Sequence, residues 1–125
     1  MSEVERVFTI EEANAMLPDL GERLTRIRDA RRIVIETARL VRDRVEVDGG
    51  GVAGEPAYFE AARTLRAEVE HLADVDVVLR DPETGLVDFL GEVDGRRVWL
   101  CWRLGEERVA HYHELDSGFV GRKPL

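Results

Sequence analysis

The stretch HYHELDSGF, residues 111–119, sets His111 and His113 two positions apart, with Glu114 beside the second and Asp116 two residues further on. Alternate residues of a β-strand project from one face about 7 Å apart, close enough for two imidazoles to reach one metal ion. A third ligand is then required, and Asp116, beyond the strand end, could swing back to supply it. His113 with Glu114 or Asp116 also meets the minimum for acid–base chemistry, a titratable ring beside an orienting carboxylate. Ser117 lies close by, where a strand-end serine more often forms a turn than attacks a substrate. The plainer alternative is a strand end whose histidines are satisfied by hydrogen bonds. No cofactor is otherwise expected; a divalent metal at His111, His113 and Asp116 is the one these residues admit.

Positioning these side chains is the task of the elements before them. After Leu72 the apolar period is two: VDVVLRD, GLVDFLGEV, RRVWLCWRL and RVAHYHEL read as strands. Asp94-Gly95 predicts a type I′ hairpin, which needs positive φ at both central positions. Gly105-Glu106 suits a type II′ turn, and DPETG a looser one. The result is a three- or four-stranded antiparallel meander. In that register Phe89, Leu100 and His111 share one row and Gly91, Val98 and His113 the next. Val87, Trp102 and Val109 form a third row of the same face. The opposite face carries Asp88, Cys101 and Ala110, then Leu90, Trp99 and Tyr112. A carboxylate there is costly without donors, so Asp88 should find Arg103, a tail arginine or an interface. Cys101 reads as a small buried hydrophobe.

Before the sheet, Thr9 and Glu12 fit a capping box that starts a helix near Ile10. Pro18 is expected to close that short helix and open a long one. Leu17, Leu20, Leu24, Ile27, Val34, Ala38, Val41 and Val45 follow in heptad rhythm, with Arg31 in one slot. The glycine-rich DGGGVAGEP, residues 48–56, ends this run, and Pro56 opens a third helix carrying Tyr58, Ala62, Leu65, Val69 and Leu72. Folded back antiparallel, the chain would pair Val45 with Tyr58, Val41 with Ala62, Ala38 with Leu65, Val34 with Val69 and Arg31 with Leu72. Arg31 could then reach past Leu72 to Glu68 or Glu70. Leu17 to Ile27 would overhang and cover the sheet or another subunit.

The expected architecture is α+β in a single domain, residues 1–125. A helical part over about 9–73 packs on a meander over about 75–115, followed by a tail over 116–125. Both sheet faces are apolar, so a second subunit, most simply a twofold dimer, is expected on one of them, and the tail could dock on a neighbour. The formal net charge of -8, from 26 acidic and 18 basic residues, disfavours nucleic acid and anionic membranes. One cysteine forms no internal disulfide, no basic flank and apolar run of a signal peptide opens the chain, and no segment is apolar for membrane-spanning length. A reducing, cytoplasmic setting is the expectation.

FTIEEANAMLP, GLVDF, WLCWRLGEERVAHYHEL and GFVGRKPL together resemble the uncharacterised prokaryotic family catalogued as domain of unknown function 2203, over nearly the whole chain. The resemblance implies a small protein with no assigned activity. It also implies that His113, preceded by an aromatic residue, is the shared histidine, whereas the position of His111 is usually another residue. Arg103, Glu106, His113, Glu114 and Arg122 become the family-type polar set, of which Arg103, Glu106, His113 and Arg122 could converge near one sheet end as an ion-pair network or an anion pocket. The expected role is a self-associating binding or assembly module, with a metal-dependent or acid–base enzyme centred on His113 as the alternative.

Overall fold

The computed structural model describes residues 5–48 and 56–125, and of residues 44–48 the backbone alone. Helix α1 spans Ile10–Asp48 and α2 Pro56–Asp74; strands follow at β1 Val77–Asp81, β2 Leu86–Val93, β3 Arg96–Arg103, β4 His111–His113 and β5 Lys123–Pro124. The capping box is formed as expected: Thr9 N–H donates to Glu12 Oε1 at 2.8 Å, and Glu12 N–H to Thr9 Oγ1 at 3.0 Å. The separate short helix is not. One helix runs through Pro18. An interior proline costs about 3 kcal/mol, but Ala13, Leu20, Leu24 and Ile27 are all buried in one cluster on both sides of it. A break at Pro18 would split that stripe, and its burial outweighs the lost hydrogen bond.

The two helices run in opposite directions alongside each other, but not in the expected register. Glu68 accepts from Arg23 Nη1 and Arg26 Nε, both at 2.7 Å, where the heptad pairing would have set Ile35 opposite it. Ala30 and Ala61, both buried, share a groove wall, while Val69, expected to pair with Val34, is 40% exposed. Glu68 is taken by Arg23 and Arg26 rather than by Arg31; Arg31 lies near Asp81, whose carboxyl is held below the usual range chiefly by the Glu83 N–H and in small part by the Arg31 charge. The sheet decides the shift. Leu20, Leu24 and Ile27 bury against it together with Leu72, so α2 follows the half of α1 that shares a core with the sheet. The stripe beyond Val34 has no sheet beneath it. The expected pairs involving Val45, and the glycine-rich connection over 49–55, lie outside the described residues.

The sheet is antiparallel, in the order β1-β2-β3-β4-β5, one strand longer than the expected meander. Asp94 and Gly95 have φ of 53° and 79°, and the hairpin they form pairs Phe89 with Leu100 and Asp88 with Cys101 as expected. The next connection departs from expectation. Gly105-Glu106 is not a two-residue turn; residues 104–110 lead from β3 to β4. Glu106 N–H donates to Arg103 O, Trp102 Nε1–H donates to Glu106 O at 3.1 Å, and Val109 N–H leaves the sheet for Asn14 Oδ1 of α1 at 2.7 Å. These bonds shift β4 by one residue, so that His111 faces Cys101, Tyr112 faces Leu100 and His113 faces Trp99. A one-residue slip moves every side chain of a strand to the other face. Tyr112 therefore packs against the helical core, and His111 and His113 turn to the face of Asp88.

That second face is covered by the chain's own tail, which was expected on a neighbouring subunit. Residues Phe119–Gly121 form a 3₁₀ turn, Lys123 and Pro124 pair with β4 as β5, and Leu125 N–H donates to Ala110 O. Among the described residues no helix is long and apolar enough to cross a membrane.

Candidate functional site

Asp88 sits in the middle of β2 and is 1% exposed. Ionised carboxylates are found so deep only when partnered, and here two donors converge on one oxygen: Arg80 Nε reaches Oδ2 at 2.8 Å from β1, and His113 Nε2 reaches it at 2.9 Å from β4. The expected partners, Arg103 or a tail arginine, are not the ones used. Oδ1 is buried and has no hydrogen-bond partner among the described residues. Cys101, directly across from Asp88 on β3, is fully buried. Burial first, then the charge of Asp88, push its thiol up to about 11, while Arg122 Nη1, 3.9 Å from Sγ, acts in the opposite direction.

Both nitrogens of the His113 ring are engaged. Nδ1 lies 3.0 Å from the carbonyl oxygen of Glu114. A carbonyl only accepts, so Nδ1 carries a hydrogen. Nε2 faces a carboxylate oxygen, and without a hydrogen there two lone pairs would oppose each other; a proton therefore lies between Nε2 and Oδ2. This arrangement leaves no ring nitrogen pointing at a reactant. It does leave three metal-ligating atoms, one each from Asp88, Cys101 and His113, within 4.8 Å of one another, all on buried residues.

Asp88 and His113 form part of the wall of a cavity of about 380 Å³ that Arg80, Leu86 and the tail residues Leu115–Phe119 complete. Cys101 is not in that wall, so it closes the back of the cluster while the other two face the opening.

The expected site residues do not form one group. Asp116 lines the cavity with His113; His111 stands beside Cys101 in register and contributes to the lowering of Glu106, outside the Asp88, Cys101 and His113 cluster. Of the family-type set, Glu106 and Arg122 form an ion pair, Arg122 Nη1 to Oε1 at 3.2 Å with a closer contact from Nη2 to Oε2. Arg122, more than burial works against it, holds Glu106 below the usual carboxylate range. The Arg103 and Arg122 guanidiniums both lie over the Phe119 ring, at 5.0 and 4.4 Å, and Arg103 gives Glu106 its backbone N–H at 2.8 Å. This group pins the tail. Glu114 belongs elsewhere: it accepts from Arg96 at 2.8 and 3.0 Å. Sequence reasoning missed Arg80 and the union of Asp88 with His113. The one available signal was Asp88 itself, a carboxylate at a buried strand position in need of a donor.

A search of curated proteins and one of solved structures each found no match. The family model described as an uncharacterized conserved protein, DUF2203, matches residues 6–125, which include every residue of the cluster, the cavity wall and the tail clasp. The chain belongs to this family.

Proposed function

We propose that the protein is a metal-dependent enzyme whose ion is held by Asp88, Cys101 and His113. The observation that carries this reading is His113: its Nδ1–H is fixed by a backbone carbonyl while Nε2 points at a buried carboxylate, in a cluster whose ligating atoms, that of Cys101 included, lie within 4.8 Å of one another. Ligating histidines are oriented in this way by their second nitrogen. Around a tetrahedral ion with bonds of about 2.0–2.3 Å, ligand atoms stand roughly 3.2–3.8 Å apart. One nitrogen, one oxygen and one sulfur suit a borderline ion such as Zn²⁺. Three protein ligands leave a fourth position, the pattern of catalytic rather than structural zinc, and that position would face the cavity. A reducing, cytoplasmic setting, supported by the lone thiol, would keep Cys101 available as a ligand.

Protein made without an affinity tag, stripped and reloaded with Co²⁺, is expected to bind one ion and to show a sulfur-to-cobalt charge-transfer band. Cys101→Ser should abolish the band, and Asp88→Asn and His113→Gln should weaken binding by at least tenfold, with far-UV dichroism reporting whether each variant folds. Wild-type protein that binds no cobalt, or a band that survives Cys101→Ser, would overturn the reading.

Self-association is a second reading, supported by the large apolar side chains exposed on the helices, Ile33, Ile35, Leu40, Phe59 and Val69. Sedimentation at micromolar concentration is expected to show a dimer that Leu40→Glu with Ile33→Glu converts to monomer; a wild-type monomer would rule the reading out.

A further inference from the structure

The cavity in front of Asp88 and His113 has a second cationic group, and its state is unusual for a surface arginine. Arg80 spends its Nε on Asp88 Oδ2 and rests its guanidinium 4.9 Å from the centre of the Trp99 ring. Those two contacts fix the plane of the fork. Its terminal Nη groups make no hydrogen bond to any described residue, and the side chain is 42% exposed at the cavity wall. Such a fork is built for bidentate capture of an oxyanion.

We infer that the cavity takes a small organic monocarboxylate, one oxygen at the open metal position and the carboxylate edge on the Arg80 fork; this rests on the metal reading above. Charge selects the class. A divalent ion is balanced by the Asp88 carboxylate and a Cys101 thiolate, and Arg122 is balanced by Glu106, so the charges left at the cavity are Arg80 and Asp116. A monoanion on the Arg80 fork adds one negative charge there, and a dianion such as hydrogen phosphate adds two, in a chain whose net charge is already -8. The walls agree: Leu86, Leu115 and Phe119 offer apolar contact to a short hydrocarbon tail, which inorganic phosphate lacks, and the volume of about 380 Å³ lies near the lower end of small-molecule sites.

The test uses the full chain loaded with Co²⁺ and follows the visible cobalt bands as sodium butyrate or inorganic phosphate is added at constant ionic strength. Butyrate is expected to shift the bands saturably, with phosphate at the same concentration leaving them in place. With cobalt held at saturation, Arg80→Gln, which also removes a donor from the Asp88 ligand, is expected to weaken butyrate at least tenfold, and Arg80→Lys, which keeps the charge and loses the fork, to recover only part of it. A shift by phosphate and not by butyrate, no shift by either, or an Arg80→Gln protein that binds butyrate like wild type would each overturn the inference while cobalt binding still stands. Failure to bind cobalt before any anion is added would instead sink the metal reading, and the carboxylate site with it.

Discussion

Adding a divalent ion to this protein should expel about two protons per ion, and the hydrogen-bond pattern says which ones. With its thiol at about 11, Cys101 is fully protonated near neutral pH, so ligation by Sγ releases one proton. The second is the proton held between His113 Nε2 and Asp88 Oδ2. The Nδ1 hydrogen stays on the Glu114 carbonyl, and the carboxylate releases none. Two protons out for two charges in would leave the buried cluster electrically unchanged, which would let the proposed site take an ion among two arginines. Affinity should then rise with pH, by at least tenfold per unit while the Cys101 thiol is protonated. Raising the thiol from 9.0 to about 11 adds roughly 3 kcal/mol to the cost of forming the thiolate, so binding near neutrality should be on the order of a hundredfold weaker than for the same ligands with an ordinary thiol. The assay is calorimetric titration of Zn²⁺ in buffers of differing ionisation enthalpy, whose slope counts protons. The expected slope is about two for wild type and about one for Cys101→Ser. A wild-type slope near zero, or a slope unaltered by the serine, would refute the reasoning.

Leu24 is fully buried where α1 meets the sheet; Leu24→Ala should cost about 2–5 kcal/mol and lower Tm by roughly 10 °C, read by thermal unfolding. At Gly91 an added Cβ would stand 2.6 Å from Leu100 Cγ, so Gly91→Ala should destabilise by about 1–3 kcal/mol through overpacking, measured by denaturant titration. Because Arg122 lowers the Glu106 carboxyl, the pair stabilises the fold fully above the unfolded-state value of about 4.3 and loses that contribution as pH falls through the lower folded value. Glu106→Gln should therefore be less stable than wild type at neutral pH, and the gap should close below about pH 4 in denaturant midpoints taken across the acid range.

Local chemistry was legible wherever a few adjacent residues determine the outcome. Thr9 with Glu12, Pro56 and Asp94-Gly95 each dictate a backbone conformation from neighbours alone, and each is found as read. The strand pairing that follows from Asp94-Gly95 was legible with it. The helix register was not, because heptad rhythm over residues 17–45 says which side chains are apolar but not whether a sheet or a helix will cover them. The site was misread for one reason, the connection after β3. Gly105 with φ of 104° is compatible with a tight turn, but Asn14, 95 positions from Val109, captures the backbone group that would have continued the ladder. No local reading of the loop contains that distant asparagine. The slip it permits carried His113 from the helix-facing side to Asp88 and Cys101, and so turned two unremarkable buried residues into partners.

The strand β5 has a further consequence, for growth of the sheet rather than for the site. A rim with a long row of unsatisfied backbone groups invites another molecule to add a strand. Here that rim is only Lys123 and Pro124, a charged residue followed by one with no N–H to offer. The opposite rim, β1, breaks its pairing between Leu79 and Asp81 and presents Arg80. Both margins are thus blunted against templated addition, and copies of this molecule that meet have no long edge by which to extend the sheet into a ribbon.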